Sequence, residues 1–203
     1  MIHAEFISFI SQFLPQSRID HSLRVAHSAR DLAKHYGLDQ DHAEIAGILH
    51  DVAKMLSPDK CREKNLPTRP ETNQVWDQFA LVWHQYAGAD IVAGAFPSLS
   101  DTILAAIRWH TTGTADMAPL TQIVFLADYI EPQRPFETRP LIEKLAYSNL
   151  DQATYALARL SLAELINRQI PIFPESIQCH NFYLSKIAKK DAKVIVHLLH
   201  PYL

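Results

Sequence analysis

Apolar residues recur along this chain three and four positions apart, and no segment alternates apolar with polar residues long enough to make a strand. Such spacing puts the apolar side chains on one face of a helix, so the chain must fold as packed helices. Phe6, Phe9, Ile10 and Phe13 mark a short first helix that Pro15 stops. Asp20 is placed to cap the next, whose stripe of Leu23, Ala26, Ala29 and Ala33 ends at Gly37. Asp39 or Asp41 opens a third helix through Ala43, Ala46 and Leu49 into His50-Asp51, and Ser57-Pro58 begins a new segment.

The polar residues 65–73 carry Pro67 and Pro70 and read as a loop. Trp76, Phe79 and Trp83 precede a helix through Ala87 and Ile91 that breaks near Pro97. Ser100-Asp101 caps a helix through Ile103, Ala106 and Ile107, which ends at His110-Thr111-Thr112-Gly113. Pro119 suits the first turn of the following helix, where Ile123, Val124 and Leu126 run to Asp128 and stop at Pro132. Two further helices are predicted over about 138–168 and 185–199. The expected fold is an all-α bundle.

With 203 residues, 48% of them hydrophobic, one domain spanning 1–203 can bury a substantial core. The formal charge of -3 excludes a global basic field, so nucleic acid is not an expected partner and any anionic ligand must be held by local cations. Cys61 and Cys179 lack CxxC spacing and read as ordinary reduced thiols. The segment Met1-Ile2-His3-Ala4-Glu5-Phe6 has no secretory pattern, and no apolar run reaches the ~20 residues a membrane-spanning helix needs. A cytoplasmic protein with no membrane partner is expected. Oligomeric state stays open between monomer and homodimer: Trp76, Phe79 and Trp83 suit a partner surface or the core, with core packing favoured.

The chemistry-bearing residues are His50-Asp51, with His21 upstream and His84, His110 and Asp128 downstream, each on a segment that reads as helical. Imidazole nitrogen and carboxylate oxygen together suit a first-row transition metal, and an ion with an open position for water is a hydrolytic catalyst. Adjacent helical residues point about 100 degrees apart, so His50 and Asp51 share an ion most readily at a helix terminus. Lys54, three residues beyond Asp51, lies on nearly the same face and can set an ammonium beside a bound substrate. Each residue has a plainer alternative. Lys54 suits a helix C-terminus as a solvated cation; His21 and Arg24 fit the polar face of an amphipathic helix; His84, flanked by Trp83 and Tyr86, fits a packed histidine with its nitrogens satisfied. Asp128 resists that treatment, because it interrupts Ile123-Val124-Phe125-Leu126-Ala127 and a carboxylate there needs a partner. His3, His27, His35, His42, His180, His197 and His200 lack such company and read as structural or solvated.

The ordered set His21, His50-Asp51, His84, His110, Asp128 resembles the HD-domain metal-dependent phosphohydrolases. Within them the chain is similar to the YqeK family of symmetrical dinucleoside tetraphosphatases. Three blocks carry that similarity: Ala46-Gly47-Ile48-Leu49-His50-Asp51-Val52-Ala53-Lys54, Ala106-Ile107-Arg108-Trp109-His110-Thr111-Thr112-Gly113, and Phe125-Leu126-Ala127-Asp128-Tyr129-Ile130-Glu131-Pro132-Gln133-Arg134. The matching core covers about 18–134, with a C-terminal helical extension over about 138–203.

The resemblance implies an HD-domain bundle and an iron-dependent hydrolase that cuts diadenosine tetraphosphate at its centre into two ADP, by attack of metal-activated water. It makes His21, His50, Asp51 and Asp128 the metal ligands, with one ion per chain. His84 and His110 fall where the superfamily places ligands of a second metal, and in this family resemble phosphate-contacting or proton-transferring groups. Asp51, Lys54, His84 and His110 then carry catalysis. Lys54, Thr111, Thr112 and Arg134 would surround the substrate, which also meets His21, His84, His110 and Asp128. Iron, manganese, cobalt and zinc all accept nitrogen and oxygen donors, and no residue dictates adenine over guanine. Two departures stand out: Gln85 replaces a usual glycine, and His180-Asn181 replaces an Arg-Asn pair, leaving the base and ribose contacts, Arg168 among them, open. Two alternatives remain, a dinuclear HD phosphohydrolase of another nucleotide and a nucleotide-sensing module without turnover.

Overall fold

The computed structural model describes residues 3–202, and every regular element among the described residues is helical. Met1 and Ile2, which begin the segment read for a secretory leader, lie outside them. In chain order the helices are α1 (Ala4–Ile10), α2 (Gln16–His35), α3 (Gln40–Leu49), α4 (Pro58–Glu63), α5 (Pro70–Ala95), α6 (Asp101–Trp109), α7 (Pro119–Ile130), α8 (Arg139–Ala146), α9 (Leu150–Asn167), α10 (Pro174–Lys186) and α11 (Lys189–Leu199), followed by a 3-10 turn at His200–Tyr202. The all-α expectation holds. No helix among them is long and apolar enough to cross a membrane.

Several predicted boundaries are right for the stated reasons. Gly37, at φ 66, closes α2 while the Leu38 amide returns to the Ala33 carbonyl at 2.8 Å. Asp39 caps α3, accepting from the Asp41 and His42 amides at 2.9 Å each. Ser57 caps α4, and Pro119 occupies the first turn of α7.

Others are corrected. Asp20 does not cap α2: the helix starts four residues earlier, after Pro15, and Asp20 instead accepts from Gln16 one turn back at 2.8 Å. The loop read over 65–73 is shorter, because Pro70 initiates α5, where its missing amide costs nothing. Trp76, Phe79 and Trp83 belong to that same helix, which kinks at Phe79 (φ -140, ψ 51). The two C-terminal helices are four, since turns at residues 147–149 and 168–173 and the break between Lys186 and Lys189 divide them.

The packing centres on α2, α3 and α7. α2 lies closely against α3 because Gly47 faces Ala26; a Cβ on Gly47 would stand 2.5 Å from the Ala26 Cα. One apolar cluster joins α2 and α7 to the C-terminal helices through Leu32, Phe125, Leu126, Tyr155 and Tyr183. A second joins α1, α3 and α6 through Phe6, Ile10, Ile48, Leu49, Ile103 and Ile107. A third holds Trp83 with Cys61 and Ile91, with Trp76 packed on it; the Trp76 and Trp83 rings meet edge to face at 5.3 Å, and Phe79 meets Phe173 at 4.8 Å. The three aromatics thus pack within the chain. Cys61 and Cys179 are separate buried thiols, and burial pushes them up to about 11 and about 12. With these clusters in place, the ends of α3 and α6, the middle of α5 and the last turn of α7 converge on the front of α2.

Candidate metal centre

Two helices end in the same device. His50 caps the C-terminus of α3 and His110 that of α6, and each ring turns back on its own last turn. His50 Nδ1 donates to the Gly47 carbonyl at 2.7 Å, and His110 Nδ1 to the Ile107 carbonyl at 2.8 Å. Helix ends leave carbonyls without intrahelical partners, so these bonds satisfy the backbone and lock the rings together. A carbonyl only accepts, which assigns the proton to Nδ1 and leaves Nε2 of both rings as a lone pair aimed into the cluster.

The remaining members close around those two nitrogens. His21, on α2, places Nε2 3.0 Å from Asp128 Oδ1, and His50 Nε2 lies 3.7 Å from Asp128 Oδ1 and 3.7 Å from Asp51 Oδ2. On the other side, Asp51 Oδ1 is 3.3 Å from His84 Nε2 and 3.4 Å from His110 Nε2. His21, His50 and Asp51 can offer one atom each within 4.8 Å of one another; so can His50, His110 and Asp128, and also Asp51, His84 and His110.

Charge makes this arrangement unfinished without a cation. His50 is fully buried, and burial pulls its pKa down to about 3, so the ring is neutral near neutral pH. Burial opposes ionisation of Asp51 as well, yet the adjoining His50, His110 and His84 rings and the Lys54 charge hold it well below the usual carboxylate range. Asp128 is likewise held low: burial opposes this, and His21, His50 and Arg134 outweigh it. The neutral His50 ring therefore turns its Nε2 lone pair toward ionised oxygens of Asp51 and Asp128, acceptor against acceptor. His50 Nε2 and Asp51 Oδ1 are buried with no hydrogen-bond partner. Orphaned acceptors of this kind cost free energy that a bound cation removes. The four donors His21, His50, Asp51 and Asp128 fit a transition metal in number and type.

Protein cations stand at the rim. Lys54 Nζ donates to His84 Nε2 at 3.0 Å and lies 3.5 Å from Asp51 Oδ1. The neighbouring ammonium and, above all, burial bring the His84 pKa down to about 4. Arg134 pairs with the Asp128 carboxylate and donates to the Asp128 carbonyl at 2.7 Å. Arg18 approaches Asp51 Oδ2 at 3.5 Å. Beside the cluster a cavity of about 240 Å³ is lined by His110, Thr111, Asp128, Tyr129, Arg134 and Phe136.

Every residue singled out in the sequence reaches this site except one hydroxyl. Thr111 Oγ1 lies 2.9 Å from His110 Nε2 and 3.1 Å from His84 Nε2. Thr112 is turned inward, donating to the Gly113 carbonyl at 2.8 Å, and so shapes the turn from behind. Residues that the sequence left unassigned also matter. Glu131, nearly fully buried, accepts from His21 Nδ1 at 3.2 Å, Arg24 Nε at 2.7 Å and the Gln133 amide at 2.9 Å. Glu131 lies three positions after Asp128, about one helical turn, which was the available signal. Arg24, read as a polar-face residue, is the partner of that carboxylate. Arg168 is exposed and pairs with Glu164, while His180 bonds only its neighbour Asn181. His3 is the one buried histidine outside the cluster, 3.5 Å from Glu44.

Comparison with known proteins agrees with this geometry. The HD domain family matches residues 18–133. A symmetrical bis(5'-nucleosyl)-tetraphosphatase of Bacillus subtilis is 31% identical over 185 residues, covering 91% of this chain and 99% of that protein. One from Halalkalibacterium halodurans is 32% identical over 186 residues, covering 89% and 96%. The crystal structure of a predicted HD superfamily hydrolase involved in NAD metabolism from Clostridium acetobutylicum superposes with a TM-score of 0.80, at 28% identity, over 91% of this chain and 98% of that one. By its matched segment, its relatives and its helical core, the chain belongs to the HD-domain family and, within it, to the group of the symmetrical bis(5'-nucleosyl)-tetraphosphatases.

Proposed function

We propose that this chain hydrolyses diadenosine tetraphosphate at its centre, releasing two ADP, with one iron ion held by His21, His50, Asp51 and Asp128. The observation that carries the reading is the pair of buried, unpartnered acceptors, the neutral His50 Nε2 and the ionised Asp51 Oδ1, inside a cluster of imidazoles and carboxylates. A bound ion supplies Lewis acidity there, polarising a phosphoryl oxygen and lowering the pKa of water near it.

The chain's own groups do the rest. A tetraphosphate brings several negative charges into a site whose free carboxylates would repel it, and Lys54 and Arg134 at the rim offset part of that charge. His110 presents only the Nε2 lone pair to the cavity, because its Nδ1 proton is committed to the Ile107 carbonyl, so it passes a proton to the departing nucleotide only after that atom has accepted one from the attacking water. His84, kept neutral by burial and Lys54, accepts rather than donates at Nε2. Thr111 Oγ1 stands between the two rings and offers a hydroxyl to a phosphate oxygen. A nucleoside enters along the cavity bordered by Tyr129 and Phe136, which continues into a groove of about 500 Å³ reaching Arg168 and Tyr202.

Product analysis with diadenosine tetraphosphate tests the reading: ADP alone supports it, and ATP with AMP would sink it. A dinuclear site is the second reading, because Asp51, His84 and His110 also group tightly enough for an ion. Against it, Lys54 Nζ already stands within reach of His84 and Asp51, a positive charge where a second ion would lie. Metal analysis decides: one ion per chain is expected, and two tightly held ions would favour the alternative. Protein that binds the substrate without releasing ADP would instead be a sensing module.

A further inference from the structure

We propose that Gln85 is a positioning residue for this hydrolysis, its carboxamide holding the Thr111-Thr112 turn so that Thr111 and His110 meet His84 at the reacting phosphate; the proposal rests on the hydrolase reading above. Gln85 is wholly buried and follows His84 on α5. Its Oε1 accepts from the Thr111 amide at 3.1 Å and the Thr112 amide at 3.2 Å. Its Nε2 donates to Thr112 Oγ1 at 3.0 Å. Two peptide N–H groups demand an oxygen, so the partners themselves settle which end of the carboxamide is which.

The consequence is mechanical. Thr111 Oγ1 lies 2.9 Å from His110 Nε2 and 3.1 Å from His84 Nε2, and His84 Nε2 lies 3.2 Å from His110 Nε2. These atoms come from two helices, α5 and the end of α6. Gln85 ties α5 directly to the backbone of the turn after α6, one residue from His84 on one side and one or two from His110 on the other, where the other polar links between these walls run through side chains alone. A tie so short along both chains sets the spacing of the two walls. Positions held by a buried amide with every partner satisfied do not drift, and displacement by about 1 Å near reacting groups costs on the order of 10²-fold in rate.

The test compares Gln85→Leu, which keeps the volume and removes the acceptor, with Gln85→Glu, whose carboxyl offers oxygen to both amides in either protonation state. Steady-state hydrolysis of diadenosine tetraphosphate, metal content and hydrogen exchange of the Thr111 and Thr112 amides are measured well below each melting temperature. Gln85→Leu should lose roughly 10- to 100-fold in kcat, with KM within about twofold, bound metal unchanged and both amides exchanging faster. Gln85→Glu should restore kcat to within about threefold and restore protection. A leucine variant with native kcat, or a loss that glutamate fails to rescue, would overturn the proposal and leave Gln85 a purely structural residue. If the leucine variant does not fold, Gln85→Asn takes its place: its shorter side chain cannot span the same gap, and native kcat in it would equally overturn the proposal. Wild-type protein that releases no ADP would remove the hydrolase reading, and the exchange contrast between the variants would then decide alone whether Gln85 holds the turn.

Discussion

His21 Nδ1 donates to Glu131 Oε1 across 3.2 Å, tying the front of α2 to the residue that terminates α7. The bond fixes the His21 tautomer and turns Nε2 toward Asp128, the usual role of a carboxylate behind a metal-binding imidazole. Glu131→Gln keeps the shape and weakens the acceptor. Metal affinity should fall about 10- to 100-fold, measured by competition with a chromophoric chelator. Unchanged affinity would mean that Glu131 serves only its bond to Arg24.

Asp51→Ala and Asp128→Ala should each cost at least ~10²-fold in turnover, together with loss of bound metal. Chelation of the wild-type protein should lower its melting temperature, because an ion bound only by the folded state stabilises it. Identical melting curves with and without chelator would refute the ligand assignment, as would retained activity in both variants.

Lys54 acts as a cation in a place where a second ion would otherwise lie. Lys54→Ala should reduce kcat by about 10²-fold while the protein remains folded. With metal in excess, the same variant should take up a second ion, held by Asp51, His84 and His110. Elemental analysis that returns one ion for both proteins would show that the ammonium is not what keeps the site mononuclear.

Asp90 supplies a pH dependence away from the metal. Its side chain, almost fully buried, accepts from the Arg69 amide at 3.0 Å, Thr72 Oγ1 at 2.6 Å and Arg108 Nη2 at 2.8 Å. Burial opposes the charge, but these donors prevail and its pKa falls below the ordinary value. A lowered folded-state pKa stabilises the fold above the unfolded value, about 3.9 for aspartate, and that contribution disappears as pH falls through the folded value. Asp90→Asn should therefore cost roughly 2 kcal/mol at neutral pH, with the gap to wild type closing under strong acid. Urea unfolding at several pH values reads this; a gap independent of pH would be inconsistent with it.

Gly47→Ala tests the close approach of α2 and α3, since the new methyl carbon would meet the Ala26 backbone. Overpacking against backbone should cost about 3 kcal/mol. Gly37→Ala is the control: its φ is 66 but nothing lies within 4 Å, so only the left-handed strain of about 1 kcal/mol remains. Thermal melting should rank Gly47→Ala well below Gly37→Ala.

The helices were legible because their signals are local. Asp39, Ser57, Pro119 and Gly37 act through their own backbones, and the stripe of Ala26, Ala29 and Ala33 needs only the helical period, although Leu23, read as part of it, is exposed and Val25 and Leu32 take the buried face instead. Where packing overrides local signals, the sequence misled: α2 begins at Gln16 without using Asp20, α5 continues through a kink at Phe79, and the C-terminal region divides into four helices. Glycine and proline mark ends that the backbone requires, whereas those breaks depend on what the flanking helices cover.

The residue types of the site, His21, His50, Asp51, His84, His110 and Asp128, were legible in the sequence alone, because nitrogen and oxygen donors are the kind a transition-metal cation accepts. Only the tertiary structure decided which of their atoms face one another. The protons on His50 and His110 Nδ1 follow from carbonyls at two helix ends, the tautomer of His21 from Glu131, and the inward turn of Thr112 from Gln85 and Gly113. A hydrogen bond between residues 27 or 110 positions apart leaves no periodic trace, and the direction of a lone pair exists only once the helices have packed.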